Sequence, residues 1–225
     1  FTFAYEQVGT NCGLIGKNAA VEVDGAAYWM SDNGFFRYTG KLESMDCLVE
    51  DYVYDNLNTT SNQFIYCGIN NLFGEITWFY PTANSNVNTR SVTYSYLDST
   101  AKRPIWFTND STLFTRTTWQ DSAVFGLPHA TQYDANTDVS FDVEGNTDGI
   151  SYYYEHETGV NQIRLGVITA IPANITSGDY DITQKVVRGA ATNLGDLRGD
   201  GENIMRVSRI IPDFIAQQGN AIIQL

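Results

Sequence analysis

Only two histidines occur in this chain, and they mark where acid–base chemistry would have to sit. His129 follows Pro128 in GLPHA; His156 lies between Glu155 and Glu157 in YYYEHET. An imidazole flanked by carboxylates is a base or a metal ligand where a nucleophile or an ion lies within reach. No G-x-S-x-G elbow supplies the nucleophile. The pattern therefore predicts an ordinary polar residue on the outer face of a strand at His156, and no catalytic residue is assigned. Asp134-x-Asn136-x-Asp138 matches the first three ligand positions of a calcium loop. Val139 stands where the loop needs Gly and Gly145 where it needs a bidentate Glu, so no metal ligand is assigned either. No Walker lysine or glycine-rich phosphate loop is present, and no cofactor is expected.

Other short motifs reduce to structure. Asp32-Asn33-Gly34 with Phe36 approaches the Asp-box turn of sialidases. Met30 occupies the place of its Ser or Thr, so the residues predict a hairpin turn. Arg198-Gly199-Asp200 lies in a glycine-rich loop as a coincidental adhesion tripeptide. The acceptor triplets at Asn58, Asn109 and Asn174 are what a chain this rich in Asn, Ser and Thr produces by chance. Cys12, Cys47 and Cys67 are odd in number and widely spaced. They predict small buried thiols in a reducing compartment, with no disulfide framework and no zinc.

These residues are positioned by short aromatic strands. AAYWMSDNGFFRY (26–38) reads as a β-hairpin, and variants recur at LFGEITWFYP (72–81) and DGISYYYEHE (148–157). The fold class expected is all-β, a β-propeller-like stack of antiparallel sheets. Strands are predicted at 19–23, 26–30, 34–38, 63–69, 73–80, 90–97, 104–108, 122–127, 150–156, 165–170, 204–212 and 221–225. The helical spacing of Val49, Tyr52, Val53 and Leu57 predicts a short helix within 47–58. Loops are expected at 82–89, 131–149 and 184–203. Trp29, Phe36, Trp78, Tyr80, Trp106 and Tyr153 are the expected buried aromatics. No linker divides residues 1–225, which are read as one β-rich domain. With Phe at position 1, that domain is expected to be a segment of a longer polypeptide, a partial propeller.

The 225 residues carry a net charge of −13. Between Arg116 and Arg164 there is no Lys or Arg, while eight carboxylates run from Asp121 to Glu157. Such a balance excludes tight nucleic-acid binding, which needs cations to displace counterions. No apolar stretch reaches the roughly 20 residues of a membrane helix, so no membrane segment is expected.

Seven blocks in order carry a resemblance: AYWMSDNGFFRYTG (27–40), CLVEDYVYDNLN (47–58), NNLFGEITWFYP (70–81), TWQDSAVFGLPHA (118–130), YYYEHETG (152–159), SGDYDI (177–182) and VSRIIPDF (207–214). Together the chain resembles the tail nozzle or packaged-DNA stabilisation proteins of short-tailed bacteriophages. The resemblance implies a non-enzymatic structural virion protein, assembled in the host cytoplasm as a ring, most simply a hexamer, about the tail axis. It implies contact with copies of itself and with other tail and portal-adaptor proteins. Double-stranded DNA would pass through the lumen without specific binding, and the ring would help retain the packaged genome until ejection. The alternative is a carbohydrate-binding or glycan-cleaving β-propeller tail or receptor-binding protein, with Tyr152 to Glu157 as aromatic platform and paired acids.

Overall fold

The computed structural model describes residues 6–110, 115–134, 149–164 and 166–171. The expected strands at 204–212 and 221–225, the 184–203 loop, the Arg198–Asp200 tripeptide and Asn174 lie outside the described residues. The chain divides into two compact units, Phe1–Thr158 and Gly159–Leu225.

The first unit is built from consecutive antiparallel sheets, as the all-β expectation requires. β1 (Ala20–Val23), β2 (Ala26–Ser31), β3 (Gly34–Tyr38) and β4 (Leu42–Met45) form one meander in sequence order. β5 (Tyr66–Asn70), β6 (Glu75–Tyr80), β7 (Arg90–Ser95) and β8 (Trp106–Asn109) form a second. β9 (Thr118–Gln120), β10 (His129–Asp134) and β11 (Ile150–Glu155) form a third. The first strands are neighbours: β1 lies beside β5, and β5 beside β9. In the second unit, β12 (Asn161–Arg164) and β13 (Val167–Ala170) make an antiparallel hairpin. Among the described residues, helix is confined to α1 (Glu50–Tyr54) and a 3-10 stretch at Thr59–Phe64.

Local chemistry explains most of these boundaries. Asp24 and Gly25 sit at φ 51° and 80°, the positive pair that a tight hairpin turn between β1 and β2 demands. At the next turn Ser31 pairs with Gly34 and only Gly34 is left-handed, at φ 140°. The Tyr54 hydroxyl closes this turn from α1, donating towards Ser31 O (2.7 Å) and Gly34 O (3.0 Å) and accepting Gly34 N–H (3.1 Å). The expected strand at 63–69 starts late. Asn58 Oδ1 accepts from Thr60 N at 3.1 Å, and this cap winds Thr59–Phe64 into the 3-10 turn.

Two expectations are corrected here. Residues 122–127 form no strand. Phe125 N donates to Ser122 O (2.9 Å), Gly126 turns at φ 80°, and Val124 and Phe125 point outward. The 131–149 loop starts later, because β10 continues to Asp134 before the described chain breaks off. β4, β9, β10 and β12 are additional strands.

The core lies between the first two sheets. Phe35, Met30, Trp78, Tyr80, Ile76, Val92 and Val53 are fully buried. Phe35 meets Trp78 and Trp106 with ring centroids 5.0 and 4.9 Å apart. Trp78 and Tyr80 are buried as expected. Trp29, Phe36 and Trp106 are only half-buried, and Tyr153 is a clear correction at 67% exposed, because β11 turns it away from the packed side.

Each of the four tryptophans also donates its indole N–H to a backbone carbonyl. Trp78 in β6 reaches Ala19 O beside β1 (3.0 Å), Trp106 in β8 reaches Asp46 O beyond β4 (2.8 Å), and Trp119 in β9 reaches Ile69 O in β5 (2.5 Å). These three bonds cross from one sheet to the next. Trp29 in β2 reaches Cys12 O (2.7 Å), in the segment before β1.

Candidate functional site

The third sheet gathers both histidines, but not as a hydrolytic pair. Strand alternation puts Tyr152, Tyr154 and His156 on one side of the chain and Tyr153 and Glu155 on the other. On the inner side Arg116 is buried, with its guanidinium carbon 4.3 Å from the Tyr154 ring centre. Its Nε donates to His156 Nε2 at 3.0 Å, and Nη1 donates to Thr115 O at 2.7 Å. The His156 ring packs on Trp119 with centroids 4.5 Å apart. Burial, then the charge of Arg116, lowers the His156 pKa to about 4. Burial likewise lowers Arg116 to about 10.

A neutral imidazole whose Nε2 accepts from a guanidinium has its free lone pair committed and is a poor general base. His156 is thus a packing residue of the interior, which corrects the outer-face expectation. His129 lies on the outer side, where its Nδ1 hydrogen-bonds the Tyr153 hydroxyl and its ring meets the edge of Phe125.

The carboxylates of the Asp121–Glu157 interval are described in part. Asp121 Oδ2 accepts Asn71 N–H at 2.8 Å, tying the end of β9 to the β5–β6 turn. Glu157, at φ 61°, accepts from Asn70 Nδ2 at 2.9 Å. Burial raises the Glu75 pKa, and the charges of Glu157 and Asp98 raise it further. These acids share the end of the sheets where β5, β9 and β11 finish and β6 begins. The Asp134–Asp138 calcium pattern and the carboxylates at 138–148 lie outside the described residues, as does the Asp134 side chain. Among the described residues no three His, Cys, Asp or Glu side chains gather as a metal-binding group.

A cleft of about 320 Å³ opens between the first and second sheets, lined by Tyr28, Tyr94, Tyr96, Asp46 and the Arg37–Glu43 ion pair. Its chemistry is hydroxyls, the Asp46 carboxylate and one neutralised charge pair. No histidine or cysteine lines it, and Ser44, Ser99 and Thr100 add hydroxyls to its wall. Sequence reasoning missed it because the lining comes from four separate strands and loops.

The cysteines are free thiols. Cys67 is buried, while Cys12 and Cys47 are only partly so. Burial pushes the Cys47 thiol up to about 12, the opposite of an activated nucleophile. Asn58 has both ends of its amide engaged, with Nδ2 donating to Ser85 O at 2.8 Å. No helix among the described residues is long and apolar enough to cross a membrane. No protein-family model matches the chain, and no curated protein matches it.

Proposed function

We propose that this chain is a structural component of a short phage tail, a nozzle or DNA-stabilisation subunit arranged as a ring around the channel. The observation that carries this is the succession of antiparallel meanders with β1, β5 and β9 side by side. A β-propeller, in which the first strand of each blade lies innermost, would set these strands side by side, and this favours that reading. The resemblance of the ordered sequence blocks adds the biological setting, and five of the seven blocks fall within described segments.

The charge is compatible with a conduit. At −13, the subunit repels a passing polyanion instead of exchanging counterions with it. In this proposal part of the Asp121–Glu157 interval faces the lumen, and the subunit performs no turnover. Reconstruction of the native tail by electron microscopy tests it. The expected result is a ring on the tail axis with acids towards the channel. A monomer bound away from the axis would overturn the structural role.

A second reading, a glycan-binding or glycan-cleaving tail protein, is favoured by one observation. Tyr153 is 67% exposed with Glu155 exposed beside it, as a sugar platform requires. Binding to host surface glycans that is abolished by Tyr153→Ala, in a protein of unchanged stability, would select this reading.

A further inference from the structure

We propose that Asn70, Glu75 and Glu157 form a site for a hard divalent cation, Ca²⁺ before Mg²⁺, at the acidic end of the β5–β6 hairpin. Asn70 is the last residue of β5 and stands directly opposite Glu75, the first of β6. Opposed residues of an antiparallel pair project from the same face, so the amide and the carboxylate are neighbours. The Asn70 side chain is more than nine-tenths buried, and its Nδ2 donates to Glu157 Oε1 at 2.9 Å. That bond fixes the amide, because the flipped orientation would set carbonyl oxygen against carboxylate. Asn70 Oδ1 is then a buried acceptor with no hydrogen-bond donor.

A buried carbonyl oxygen without a donor, on an amide that bonds Glu157 and stands opposite Glu75, is an unmet demand for positive charge. Among the described residues the one ion pair is Arg37–Glu43, so no described Lys or Arg meets it. A cation bound by Asn70 Oδ1 and the two carboxylates would answer all three groups at once.

The donor set is oxygen only, which selects a hard ion. Ca²⁺ accepts irregular shells of six to eight oxygens, whereas Mg²⁺ demands a near-ideal octahedron. Three protein side chains leave the rest of the shell to water on the exposed side of Glu157. Such a partial cage belongs with weak sites, Kd ~10⁻⁴–10⁻³ M. Bound there, the ion would lock the β5–β6 turn to Glu157, two residues past β11, and so tie the second sheet to the third.

Terbium luminescence tests this directly, using the whole chain with Tb³⁺ as the probe and Ca²⁺ as competitor. The Trp119 indole donates to Ile69 O, one residue from Asn70, and so serves as the sensitiser. The expected result is Trp-sensitised emission displaced by millimolar Ca²⁺. Glu157→Gln should weaken binding at least about tenfold and Asn70→Asp should strengthen it. Asp138→Asn, in the separate Asp134–Asp138 sequence, should leave it unchanged. Emission that survives Glu157→Gln in a normally folded variant overturns the site, as does emission lost only in Asp138→Asn. Absence of any Ca²⁺-displaceable emission up to about 10 mM also overturns it, and would mean that water alone serves Asn70 Oδ1.

Discussion

At the scale of single residues, the buried Arg116–His156 contact makes stability depend on pH. The pKa of His156 falls from an unperturbed 6.5 to about 4 in the fold. The folded state therefore resists a proton that the unfolded state accepts. Stability is fully present above pH 6.5 and is lost as pH drops towards 4. That span corresponds to about 3 kcal/mol at most. Denaturant titrations across pH 7 to 4 should show this fall, and His156→Gln should flatten it. An equal slope in both proteins would assign the loss to carboxylates elsewhere. Trp78 is fully buried and bonded to Ala19 O, so Trp78→Ala should cost about 3–5 kcal/mol, read as a lower denaturation midpoint. Tyr54→Phe keeps the ring and removes the hydroxyl that serves Ser31 and Gly34. A loss of about 1–2 kcal/mol is expected, with faster amide exchange at Gly34.

Elements meet through close approach of backbone and ring. A β-carbon built on Gly68 would lie 2.5 Å from Trp119 Cγ, so the β5–β9 contact requires a residue without a side chain there. Gly68→Ala should push Trp119 off β5, lengthen its bond to Ile69 O and cost about 1–3 kcal/mol. The check is a red-shifted tryptophan emission together with lower stability; wild-type emission would mean the third sheet absorbs the shift elsewhere. Hairpins of this kind were legible in the sequence. The aromatic runs around Trp29 and Trp78 alternate strongly and end in Asp, Asn or Gly, so β2, β3 and β6 follow from pattern alone. β4 and β9 were not legible, since Leu-Glu-Ser-Met and Thr-Trp-Gln are too short to establish a period. Val124 and Phe125 misled for the opposite reason: apolar side chains suggested a strand where Ser122 and Gly126 close a turn. The site was hidden for a further reason. Asn70, Glu75 and Glu157 are joined by strand register and by an 87-residue separation, neither of which a linear pattern carries.

For the whole molecule, the decisive property is charge set against assembly. A net −13 on 225 residues opposes self-association, yet a ring needs neighbouring copies to touch. In the proposed ring, contact would come from local apolar surface, and the exposed Val160, Ile163, Val167 and Ile168 at the β12–β13 hairpin are the candidates. Repulsion of DNA, by contrast, needs no local feature and should be insensitive to single substitutions. Gel retardation of linear duplex DNA should show no complex even at 50 mM salt, where a protein neutralising several phosphates binds far more tightly than at 200 mM. Adding Lys at exposed acids outside the β5–β6 end, such as Asp51→Lys with Asp32→Lys, should not create affinity, because the remaining charge is still strongly negative. Retardation by the unmodified protein that weakens steeply with salt would reveal a basic groove, and the passive-conduit proposal would then fail at its electrostatic premise.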